Sequence, residues 1–207
     1  MNLKTIILSV LSSTTCFTAG QAEQQPPPSR GGLLGMELAN AQNNTDFFRF
    51  FHLEPVGSAE SNGEYTITTF RPSGPRFHDL VRLQVETDAD NRIVRLTLEV
   101  DRSFIENPST GVFAADLVKS FLFAAGTAAD SEALRSLGNE IQFRKVGRQI
   151  VIHRDASPQL PSSPSDGYLA YQGQLQRWTS STSHLSVTLS NVDREGKPVL
   201  LLEARPV

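Results

Sequence analysis

Two neighbouring stretches, LVRLQVE at 80–86 and RIVRLTLEV at 92–100, constrain the fold most tightly. Val81, Leu83 and Val85 alternate with Arg82, Gln84 and Glu86, and Val94, Leu96, Leu98 and Val100 alternate with Arg95, Thr97 and Glu99. Successive strand side chains point to opposite faces, so this period of two predicts an antiparallel hairpin with one dry and one wet face, joined by a polar TDADN turn. The dry face has to be covered, which points to a further layer over the sheet. Asp88, Asp90 and Glu99 do occupy the first, third and twelfth places of a calcium loop. Arg92 and Ile93 fill its fifth and sixth, where a ligand and a glycine are required, so the stretch reads as a turn.

Residues 112–125 (VFAADLVKSFLFAA) supply the cover. Phe113, Leu117 and Phe121, with Val118, Leu122 and Ala125, form adjoining stripes at helical spacing, while Asp116, Lys119 and Ser120 mark a narrow polar edge. Ser109 and Thr110 offer capping hydroxyls, and Gly126 a stop. A shorter helix fits 128–137, opened by Thr127 and Asp130 and ended by Gly138. Strands are expected at DFFRFFHLEPV, where Phe47, Phe48, Phe50 and Phe51 crowd into five residues, and at EYTITTF after the Asn62-Gly63 turn. IQFR and QIVIH around a KVGR turn read as a second hairpin. YLAYQGQLQRW, HLSVTLS and PVLLLEA read as further strands beyond a long Pro/Ser loop at 155–167. Strands, then helices, then strands predict a single α+β domain over 47–207: a mainly antiparallel sheet of hairpins with one or two helices packed on one face.

The residues ahead of that domain have a different composition. Lys4 precedes an apolar run at 5–11, and small or weakly polar residues follow up to GQA, the three-part layout of a secretory leader over 1–22, cleaved after Ala22. The apolar run is far short of the about 20 residues that cross a bilayer, so no transmembrane segment is expected in the mature chain. Lipidation at Cys16, the chain's one cysteine, would want Leu three places earlier and a small residue just before it, where Ser13 and Thr15 stand. Cys16 is therefore expected to leave with the leader and take thiol chemistry with it. Residues 23–46, rich in Pro, Gly and Asn, read as a flexible tether, although MELANAQ can hold a turn of helix.

Loss of the leader leaves 18 of the 19 basic residues against all 22 acidic ones, a balance that argues against nucleic acid as a partner. Nucleophile frames such as G-x-S-x-G, S-x-x-K and H-E-x-x-H are missing, as is a Gly-rich phosphate loop. The histidines are scattered, and His153 with Asp155 makes only two ligands on one strand face, so no metal or other cofactor is expected. A hydrolytic site would have to draw on His78, Asp79, Asp101 or His153. Arg144, Lys145, Arg148 and Arg154, with Arg135, place basic charge on the expected hairpin tip, where an anionic partner could dock.

The leading expectation is an exported, periplasmic or secreted, non-enzymatic binding protein of the bacterial cell envelope, whose partner is an envelope protein or an amphiphilic or anionic ligand. A sheet gripping a helix can leave an apolar groove, with Phe47, Phe51, Phe113, Phe121 and Phe123 as ligand-binding candidates. Phe123 is the most informative, because it falls on the polar edge of its helix. The alternatives are an exported hydrolase with a His/Asp site and an envelope assembly factor or inhibitor. The latter predicts an exposed apolar patch or a free sheet edge.

Overall fold

The alternation at 81–100 is a hairpin in the structure, a computed structural model that describes residues 32–126, 132–146 and 162–207. Strand β1 is Leu53–Pro55, β2 Glu60–Asn62, β3 Tyr65–Pro72, β4 Val81–Thr87 and β5 Ile93–Asp101; β6 Arg177–Ser181, β7 Leu185–Arg194 and β8 Lys197–Pro206 follow. They form one antiparallel sheet in the order β1-β3-β4-β5-β8-β7-β6, with β2 also paired to β3. Asp88 closes the expected turn by accepting from the backbone N–H groups of Asp90 and Arg92. Glu195 and Gly196, both with positive φ, make the two-residue turn between β7 and β8. The chain is a single α+β domain.

Register shows how completely the faces separate. Phe70, Leu83, Leu98, Leu202, Leu189 and Trp178 are consecutive cross-strand partners in a row over six strands. The row on the opposite face reads Thr69, Gln84, Thr97, Glu203, Thr188 and Thr179. That wet face carries ion pairs: Glu99 takes both Arg82 and Arg194, and Arg95 lies between Glu86 and Glu203.

Helices α1 (Leu38–Asn44), α2 (Asp46–Phe50), α3 (Arg102–Glu106), α4 (Gly111–Ala125), α5 (Glu132–Val146) and α6 (Asp166–Tyr171) complete the described residues. On α4, Ala114, Leu117, Val118, Phe121, Leu122 and Ala125 are buried, the apolar stripe that covers the dry face. Thr110 precedes it, but its hydroxyl donates to the Phe104 carbonyl and leaves the helix N–H groups alone. Among the described residues no helix is long and apolar enough to cross a membrane.

Four sequence expectations are corrected. Residues 46–50 are helix, not strand: Phe47 and Phe51, four apart, lie edge to face at 5.8 Å, and Phe47 and Phe48 are buried. The second helix runs through Gly138 to Val146, so IQFR is its continuation and not a strand. Gly138 serves close packing, since a Cβ there would stand 2.9 Å from Cε1 of Phe123 and 3.2 Å from Cγ of Lys119. YLAY belongs to α6, capped by Ser165, and the strand starts only at Arg177. The tether reading does not hold from residue 32 onward, because Leu33 and Ala41 are buried and Glu37 bridges to Arg92. The leader, Cys16, QIVIH, His153, Arg148, Arg154 and most of the 155–167 loop lie outside the described residues.

Candidate functional site

A groove of about 1360 Å³ runs between α2 with the start of β1 on one side and α4 with α5 on the other. Five consecutive residues, Asp46–Phe50, make only one turn of helix, so their phenylalanines are divided between core and surface. Phe47 packs on Phe121 at 6.1 Å and Phe48 on Phe70 at 5.2 Å, anchoring the turn to the core. Phe50, 67 % exposed, and the half-buried Phe51 meet edge to face at 4.9 Å on the groove side.

The facing wall is the polar edge of α4. Asp116, Lys119 and Ser120 line it one turn apart, with Phe123 beside them, 36 % exposed. Gln142 of α5 joins them: its amide donates to Oδ1 of Asp116 at 3.0 Å, and its oxygen accepts from Nζ of Lys119. Nζ of Lys119 also stands 5.3 Å from the Phe123 ring centroid, and the Arg135 guanidinium 6.0 Å from it, so one aromatic ring faces two cations.

Burial dominates the electrostatics of this wall. It raises the Asp116 carboxyl above its usual range, against the Gln142 hydrogen bond and the Lys119 charge, and it lowers the Lys119 ammonium against the pull of Asp116. An acid with a raised folded-state pKa contributes stability at low pH that is lost as pH rises through that pKa. Asp116→Asn removes the cost of the buried charge and keeps an oxygen for Gln142. Its melting temperature relative to wild type is therefore expected to climb as pH rises from about 3 to about 7. A flat difference in parallel thermal melts would refute this.

Of the five aromatic candidates, Phe47, Phe51 and Phe123 line the groove. Phe121 is wholly buried behind it, and Phe113 lies elsewhere, 5.9 Å from Phe77. Phe50 was seen in the sequence only as one of a cluster, and Arg135 only as one of a basic run. No periodicity places either of them, because α2 is too short to show one and α5 faces the groove through scattered polar positions. Arg144 and Lys145 do not present a basic tip: Nε of Arg144 binds Glu140 at 2.7 Å, and Lys145 lies against Gly111 in the last turn of α5.

Two of the hydrolytic candidates share a second, smaller cleft of about 320 Å³, at the ends of β4 and β5 beside the β7–β8 turn. Asp79 lines it with Nδ1 of His78 at 3.1 Å and Nη1 of Arg71 at 3.0 Å. Asp101 lines it too, but its Oδ1 accepts from the backbone N–H and hydroxyl of Ser103 and so caps α3. Asp79 is 85 % exposed, and its pKa is lowered first by the His78 hydrogen bond. An open, readily ionised carboxylate lacks the water exclusion that makes a general acid effective near neutral pH. No hydroxyl or thiol side chain is among the described residues lining this cleft. The groove is the better-built site.

No family model, curated protein or solved structure matches the chain. The groove is therefore read from its own chemistry. At about 1360 Å³ it exceeds the roughly 300–1,000 Å³ typical of pockets for compact ligands, and its aromatic side chains stand along an open channel. Such a shape suits an extended guest with an apolar body, and nothing in its lining resembles a nucleophile held by a base.

Proposed function

We propose that the chain is an exported, non-enzymatic binding protein of the bacterial cell envelope whose groove holds an extended apolar guest. The observation that carries this reading is the exposure of Phe50 and Phe123 on opposite walls of one channel. Exposed aromatic rings facing each other across a cleft are costly to hydrate unless something covers them in use. The leader-like layout of residues 1–22 supports export, and the lack of a nucleophile frame supports binding over catalysis.

Covering the exposed parts of two phenylalanine rings is worth about 2 kcal/mol, from the roughly 1.5–3 kcal/mol of a fully buried Phe. The double variant Phe50→Ser/Phe123→Ser is thus expected to bind a fluorescent long-chain amphiphile about thirtyfold more weakly than wild type, and, because Phe123 is partly packed between α4 and α5, to melt somewhat lower while staying folded at the assay temperature. Fluorescence titration checks this. Failure of the wild type to take up the probe, or equal binding by both proteins, would overturn the proposal. A guest that is a partner protein's segment, as an assembly factor would hold, predicts instead weak uptake of the free amphiphile.

A further inference from the structure

The geometry points to a seat for a single anionic headgroup between Lys119 and Arg135, so that the guest is an amphiphile with a negatively charged end lying along the α4–α5 wall. This rests on the groove reading above and adds the sign and position of the ligand's charge.

Three observations support it. The two cations come from different helices yet converge on one ring, at 5.3 Å and 6.0 Å from the Phe123 centroid. The convergence is helped by Gly138, which lets α5 come close to Phe123 and Lys119: a Cβ there would stand 2.9 Å from the Phe123 ring and 3.2 Å from Cγ of Lys119.

The charges on the two walls are also unequal. The α4–α5 wall carries Lys119 and Arg135 against Asp116, whereas the opposite wall carries Asp46 and Glu54 against Arg49. An anion entering the groove is drawn to the first wall and repelled from the second.

Finally, neither cation makes a direct ion pair with a carboxylate among the described residues. Lys119 gives one of its three N–H donors to the neutral Gln142 amide, which stands between it and Asp116. Donors so placed, beside an apolar ring, fit a headgroup whose hydrocarbon continues over Phe123 toward Phe50 and Phe51.

Calorimetric titration of the full chain with sodium dodecanoate, dodecan-1-ol and sodium acetate tests this. Dodecanoate is expected to bind at least tenfold more tightly than the alcohol, and acetate not measurably. Arg135→Gln, an exposed position, should lower dodecanoate affinity about tenfold and leave the alcohol unchanged, with Arg135→Lys recovering part of the loss. Lys119→Gln should act in the same direction.

Equal affinity for acid and alcohol, unaltered by Arg135→Gln, would overturn the headgroup seat. The groove reading would still stand if Phe50→Ser/Phe123→Ser weakened both ligands. Binding of neither dodecyl compound would overturn both. Acetate binding as tight as dodecanoate would show an adventitious surface cation pair and overturn the amphiphile.

Discussion

Leu98→Ala lowers the stability of the domain by about 3–5 kcal/mol, whereas Thr97→Ala, one position away on the same strand, changes it by less than about 0.5 kcal/mol. Leu98 is completely buried, paired across β4 to Leu83 and across β8 to Leu202, and no backbone movement in a six-strand row can close the space its side chain vacates. The loss then combines the transfer term with a cavity term, which places it toward the upper end of leucine deletions. Thr97 sits between Gln84 and Glu203 on the polar face, where water fills whatever is removed. For a chain of this size the difference is on the order of 10 °C in melting temperature, readily seen in urea or thermal unfolding. A reversed result, with the larger loss at Thr97, would mean that the register is displaced by one residue, because such a slip exchanges the two faces.

The same alternation explains why this part of the fold was legible from sequence. A half-buried strand writes its geometry into every second residue, so β4, β5, β7 and β8 were all anticipated, and α4 announced itself through apolar residues at helical spacing over 112–125. Signals failed where one residue serves two opposing roles. Gly138 looked like a helix stop, but it is there to let α5 touch Phe123 and Lys119. Phe47, Phe48, Phe50 and Phe51 are too close together for any period to show, and β propensity pointed the wrong way. What decides their helical turn is that Phe47 and Phe48 reach Phe121 and Phe70, contacts distant in sequence. YLAY was misread for a related reason: with Tyr168, Ala170 and Tyr171 all buried, its run of apolar residues fits a buried strand as well as a short helix.

The candidate site was half visible. Phe123 on the polar edge of α4 was the correct clue, because an aromatic ring there has no core to enter and must face a neighbour or a guest. Its neighbours turned out to be cations from two helices. Arg135 and Gln142 could not be assigned to that wall while α5 was read as a helix ending at residue 137 followed by a strand. The groove depends on α5 being one continuous element.

Glu140→Ala is expected to cost about 3 kcal/mol, while Glu132→Ala in the first turn of the same helix costs less than about 1 kcal/mol. Glu140 is only 3 % exposed, although it is a carboxylate on a helix with a polar composition. Its Oε1 accepts from the Ser165 backbone N–H at 3.1 Å and from Nε of Arg144 at 2.7 Å, and its Oε2 accepts from the Ser165 hydroxyl. That hydroxyl oxygen in turn accepts from the Tyr168 N–H as the cap of α6, so one side chain of α5 holds the start of another helix. Truncation leaves the part-buried Ser165 N–H and hydroxyl without their acceptor and removes one partner of Arg144, which is why the penalty exceeds that of an exposed ion pair. Glu140→Gln keeps one acceptor oxygen and should recover about half of the loss. Hydrogen exchange gives the sharper test: amide protection in 166–171 should fall in Glu140→Ala while that of β4 and β5 is retained up to global unfolding. If α6 stays fully protected, its position is set by burial of Tyr168 and Tyr171 alone.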